Sequence, residues 1–145
     1  MLLKIEPTGD GQRAAVVYRN RNLRGQFSTP VRYKDHLYGF DQSTLKCLNF
    51  RTGEVCWEKT GFDQGTVLLA EARLIILGEY GRLALAQAVP EGYREVGQVR
   101  LGEGLTWTMP ALADGRLYLR DQTRVRCVDL KARSFNAGSG RPPSR

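Results

Sequence analysis

Cys47-Leu48-Asn49-Phe50-Arg51-Thr52-Gly53-Glu54-Val55-Cys56-Trp57 is the stretch that decides how this chain is read. A short run suited to a β-strand enters a Thr-Gly-Glu turn, and a Trp follows four residues after the glycine. Glycine reaches the positive φ that a tight turn can require without steric cost. Tryptophan covers a large apolar area and carries one N–H that needs an acceptor. Just upstream lies another strand-like run, Leu37-Tyr38-Gly39-Phe40. The unit therefore predicts strand, turn, strand, Thr-Gly turn, and a last strand anchored by a Trp.

The same landmarks return at a fixed distance. Pro30 and Pro110, Leu37 and Leu117, Tyr38 and Tyr118, and Cys47 and Cys127 are each 80 positions apart. A middle copy divides the interval, with Leu74 between Leu37 and Leu117 and Leu83 between Leu45 and Val125. The period is about 40 residues with four short strands in each, the pattern of a propeller blade. The units fall at 27–64, 65–104 and 105–133, after a hairpin within 1–26 that turns at Gly9-Asp10-Gly11. In the middle unit Leu74-Ile75-Ile76-Leu77 is apolar throughout, as expected of a strand covered on both faces. Pro30 confines its strand to an edge or a first position.

The expected fold is all-β, a partial β-propeller of about three four-stranded antiparallel blades. One blade leaves both faces bare and needs two neighbours. The count predicts the C-terminal portion of a longer propeller of about seven or eight blades, with an open, aggregation-prone flank. Residues 134–145 are rich in Gly, Ser and Pro and are expected to be disordered.

Composition narrows the function classes. The net charge of +7 over 145 residues is unevenly placed. Arg13, Arg19, Arg21 and Arg24 fall in a stretch without acids, and Lys131, Arg133, Arg141 and Arg145 fall in the tail. A nucleic-acid binder concentrates base on one folded face with stacking aromatics, so no nucleic-acid partner is expected. No run is long or apolar enough for a transmembrane segment. Met1-Leu2-Leu3-Lys4 is too short for a signal peptide. Cys47, Cys56 and Cys127 have no metal-ligand spacing and read as small buried apolar residues.

The blade pattern resembles the quinoprotein-type (PQQ-like) propeller repeat. That family marks each blade with a tryptophan-docking motif, matched here by Cys47, Asn49, Thr52, Gly53, Glu54 and Trp57. The third unit matches at Cys127 and Asp129 and then departs; the second keeps Ala86 but has Pro90-Glu91-Gly92 and no Trp. The resemblance implies that Trp57 docks on a neighbouring blade rather than stacking on a ligand, and the same reading extends to Trp107. It implies a periplasmic or secreted setting. It is nearest to non-catalytic propellers of the outer-membrane-assembly type and to envelope propellers of unknown activity. The catalytic members hold a quinone over calcium and usually carry adjacent cysteines; this chain has no Cys-Cys pair.

No catalytic, cofactor-binding or metal residue is therefore expected. The expected function is a non-catalytic scaffold or binding module, its partner a protein or the remaining blades. Its contacts would come through loops such as Lys34-Asp35-His36 and Glu79-Tyr80-Gly81. The alternative is the C-terminal part of a quinone-dependent dehydrogenase, with PQQ and calcium held by blades outside this sequence. His36, the sole histidine, reads as a solvated turn residue, and Asp41, Asp114, Asp121 and Asp129 as turn caps. Arg116, Arg120, Arg124 and Arg126 form a possible anion patch, set against a charged, protected strand edge.

Overall fold

A computed structural model describes residues 1–102 and 104–131. The expected disorder of 134–145 falls outside the described residues. The strands are short, and polar turns punctuate them. A hairpin comes first, β1 (Leu2–Thr8) with β2 (Gly11–Tyr18). Three antiparallel sheets follow, each an up-and-down meander. The first holds β3 (Val31–Tyr33), β4 (His36–Asp41), β5 (Thr44–Asn49) and β6 (Val55–Lys59). The second holds β7 (Gly65–Ala70), β8 (Arg73–Gly78), β9 (Arg82–Gln87) and β10 (Glu95–Arg100). The third holds β11 (Ala111–Ala113), β12 (Arg116–Arg120) and β13 (Val125–Asp129).

Register repeats with the sequence. Tyr38 pairs with Cys47 in the first sheet, and Tyr118 with Cys127 in the third. The turn after the innermost strand takes a positive φ at the same place in all three sheets, at Lys34 (53°), Glu71 (55°) and Asp114 (51°). Two-residue hairpin loops need such a residue so that the turn follows the twist of the strands. Pro30 stands immediately before β3, the innermost edge strand, where its missing N–H breaks no ladder bond.

The second sheet is sandwiched between the other two, which makes the sheets blades. One face of β8, Leu74 and Ile76, packs with Tyr38, Phe40, Leu45 and Cys47 of the first blade. The opposite face, Ile75 and Leu77, packs with Leu117 and Leu119 of the third. Side chains alternate across a strand, so an apolar run of period one is the signature of a strand with blades on both sides. The far face of the first blade is covered by the connector after β2. Asn20 and Asn22 both donate to the Gly53 carbonyl, at 2.9 and 2.8 Å, and the Arg24 side chain binds Asp41.

Five aromatic rings tie the first blade to the second. Tyr38, Trp57, Tyr93, Phe62 and Phe40 follow one another with ring centroids 5.9 to 6.2 Å apart. Tyr93 turns inward to join them, and β10 begins two residues later, at Glu95.

Candidate functional site

The motif residues form a clasp. Asn49 Oδ1 accepts from the backbone N–H groups of Arg51 and Thr52, at 2.8 and 3.2 Å, and so closes the turn. Thr52 Oγ1 donates to Glu54 at 3.0 Å. Gly53 takes φ +73°, and its N–H donates to the Asn49 carbonyl. Trp57 lies between Tyr38 and Tyr93, and its Nε1 donates to the Val89 carbonyl of the next blade at 2.9 Å. Cys47 is buried in the same core.

The cysteines need a correction: Cys47 is buried, but Cys56 and Cys127 are exposed. Cys56 sits at a bulge in β6, the outermost strand of its blade. Cys127 lies on the exposed face of β13, with Val125 and Asp129. Burial, with the Cys56 thiol beside it, pushes the Cys47 thiol up to about 12. The thiolate is the reactive form. At pH 8 a disulfide reagent is therefore expected to modify Cys56 and Cys127 in the folded protein and Cys47 only after urea is added. A third thiol reacting at the same rate before unfolding would contradict the packing of Cys47.

The four arginines do not converge. Arg116 and Arg120 share the outward face of β12, and Arg124 lies in the turn before β13. Arg126 faces the other way, opposite Leu119, and its guanidinium binds the Asp121 carboxylate. Asp121 also accepts from the N–H groups of Thr123 and Arg124, each at 2.8 Å. The same device stands 80 positions earlier. Asp41 is buried, held by Arg24 Nε at 2.8 Å and by Lys46 Nζ at 2.9 Å.

Those partners set the charge of both acids. The Arg24 side chain, then Lys46, holds the Asp41 carboxyl well below the usual range. The Thr123 N–H, then Arg126, does so for Asp121. A carboxyl depressed in the folded state adds stability above its unfolded value, and that stability is lost as pH falls toward the folded one. The melting temperature is thus expected to hold above about pH 5 and to fall steadily below about pH 4. Asp41→Asn and Asp121→Asn should be less stable at pH 7 and should lose less on acidification. Equal acid sensitivity in both variants and the parent, read by calorimetry, would rule this out.

Where the innermost strands begin, a different arrangement appears. Gln26-Phe27-Ser28 before β3, Gln64 with Gly65-Thr66 at the start of β7, and Thr106-Trp107 before β11 meet at one end of the blades. The Phe27 and Trp107 rings stack, with centroids 5.8 Å apart and planes 10° from parallel. Phe27 is 58% exposed and Trp107 50%. Trp107 is fixed from two sides. Its Nε1 donates to Glu79 Oε1 at 2.7 Å, and the preceding Thr106 is pinned through Oγ1 to the carbonyls of Gly78 and Glu79. The Gln64 amide donates to the Gln26 amide at 3.4 Å. Between these groups lies a pocket of about 10 Å³.

Residue-by-residue reading missed this rim and assigned Trp107 to packing between blades. The signal was in the repeat: the 80-position offset places Phe27 on Trp107 and Ser28 on Thr108. Matched residues at the start of two inner strands lie on one side of the molecule. His36, with Lys34 and Asp35, lines a separate open groove of about 620 Å³ between the first two blades, with Arg73 and Glu91 on the opposite wall. Among the described residues no three His, Cys, Asp or Glu side chains are grouped to hold a metal ion. No helix of the described chain is long and apolar enough to cross a membrane.

No family model matches the chain, and no curated protein matches it. Solved structures do. The chain is similar to BamB from Moraxella catarrhalis over 70% of its own length and 32% of that chain, with TM-score 0.54 and 18% identity. It is similar to the computationally designed Ika4 protein over 74% of its length and 70% of that chain, with TM-score 0.57 and 12% identity. The chain thus spans about a third of the length of BamB. At these identities the likeness establishes the fold, and the blades described above make this chain a partial β-propeller.

Proposed function

We infer that the chain is a non-catalytic binding module that presents its ligand or protein partner with the rim at the start of the inner strands. The observation that carries this is the Phe27–Trp107 stack, half exposed yet held in place through Glu79. Exposed aromatics that are rigid before binding supply contact area at little entropic cost. The loop Glu79-Tyr80-Gly81 contributes directly, since Glu79 orients the indole. An envelope setting is supported by the repeat's resemblance to secreted propellers.

The rival is a quinone-dependent oxidoreductase. Purified protein is expected to show the same melting temperature with and without PQQ and calcium, and to reduce no electron-acceptor dye with alcohols present. A rise of several degrees that needs both additives would overturn the binding-module reading.

A further inference from the structure

We propose that the rim around Phe27 and Trp107 binds a neutral saccharide, with one sugar hydroxyl inserted between the side chains of Ser28 and Thr66; this rests on the binding-module reading above.

Three observations point to that chemistry. The first is the platform: two near-parallel aromatic rings, half exposed, with the Trp107 ring held by Glu79. A pyranose has an apolar face of C–H groups that matches an aromatic face in size and polarity, and the apolar area covered drives the contact. The second is the pocket beside the rings. Ser28 and Thr66 both line it, and their hydroxyl oxygens are shielded from solvent without any hydrogen-bond partner. Thr66 is 1% exposed. Buried hydroxyls without partners carry an uncompensated desolvation cost, so a ligand that satisfies them gains what the free protein lacks. The pocket's volume of about 10 Å³ suits one hydroxyl-sized group.

The third observation is charge. Every residue lining the pocket is uncharged, and the polar ones are amides and hydroxyls, Gln26, Gln42 and Gln64 among them. An amide offers both donors and an acceptor, which suits a hydroxyl that must do both. The charged groups nearby are already engaged: Glu79 with Trp107, and Arg24 with Asp41. An anionic ligand would find no free cation among the lining residues. A purely aromatic ligand would leave the two hydroxyls unsatisfied. A neutral polyol with one apolar face meets all three conditions.

The test uses the full chain with cellotriose, maltotriose and chitotriose as probes, read by saturation-transfer NMR and calorimetry. A sulfated heparin tetrasaccharide serves as the anionic competitor. At least one neutral trisaccharide is expected to bind saturably with a Kd of about 1 mM or tighter, and Trp107→Ala to weaken it about tenfold or more. Phe27→Ala, which breaks no hydrogen bond, stands in should Trp107→Ala fail to fold. Thr66→Val keeps the shape and removes the hydroxyl. It should leave the melting temperature unchanged or higher, because the lost group had no partner, while weakening binding severalfold. The heparin fragment should not compete.

No saturable binding by any of the three sugars overturns the proposal, as does binding undiminished in Thr66→Val or in both aromatic variants. If the sugars fail and PQQ with calcium also has no effect, the saccharide assignment alone falls and the binding module stands. If PQQ with calcium stabilises the protein, the module reading falls with it.

Discussion

Replacing Trp57 by Ala is expected to lower the unfolding free energy by about 3 kcal/mol. Two losses combine. The indole fills the space between Tyr38 of its own blade and Tyr93 of the next, and it supplies the donor for the Val89 carbonyl. Trp57→Phe separates the two. A smaller ring still contacts both tyrosines, but the carbonyl is left without its donor, at a cost of about 1–2 kcal/mol. Urea denaturation followed by circular dichroism gives both values. Costs within about 0.5 kcal/mol of the parent for both variants would mean that Trp57 behaves as an ordinary surface residue and joins no blades. Equal, large costs would place the effect in the hydrogen bond rather than in the ring.

Gly53→Ala is expected to cost about 2–3 kcal/mol, from backbone strain and from displaced neighbours together. At φ +73° the Cβ of an alanine crowds its own backbone. The same Cβ would overlap Asn20 Nδ2 and lie 2.5 Å from Tyr18 Cε2, so the connector over the first blade must lift. Asn20 and Asn22 would then lose their shared acceptor, the Gly53 carbonyl. Asn20→Ala alone should cost less, about 1 kcal/mol. The double variant should cost less than the sum, because one of the two side chains that the new methyl group strikes has gone. Strict additivity would show that strain stays within the turn and that the connector does not rest on it.

Much of the fold was legible because repeats leave their period in the sequence. The 80-position spacing of Leu37, Tyr38 and Cys47 from their counterparts reappears as identical pairing, Tyr38 with Cys47 and Tyr118 with Cys127. The apolar run at Leu74–Leu77 carried the information that the middle sheet has neighbours on both faces, and its side chains divide between two cores. Strand ends moved by a residue, β4 running His36–Asp41 around the Leu37–Phe40 run and β8 running Arg73–Gly78 around Leu74–Leu77, because ladder pairing extends through residues that the apolar run does not mark.

The candidate site was less legible. Cys127 and Cys47 occupy the same register, yet only Cys47 is buried, because burial depends on what packs over the face. Arg126 belongs to no anion patch, since strand alternation sends it away from Arg116 and Arg120 and onto Asp121. Ser28, Thr66, Phe27 and Trp107 lie far apart in the chain and carry no motif. Their meeting depends on three inner strands starting at the same end of adjacent blades.

The Thr-Gly turn with its Trp is a clasp between blades, its side chains turned to Val89, Tyr93 and the core. By itself the sequence determined the all-β blade architecture, the repeat period, the register and the glycine at the tight turn. These follow from local propensity and spacing, which each segment carries within itself. The tertiary structure alone decided which cysteine is buried, which arginines are engaged in ion pairs and which aromatics are left to face solvent. Those outcomes depend on how one blade lies against the next, and a side chain's surroundings come from residues tens of positions away.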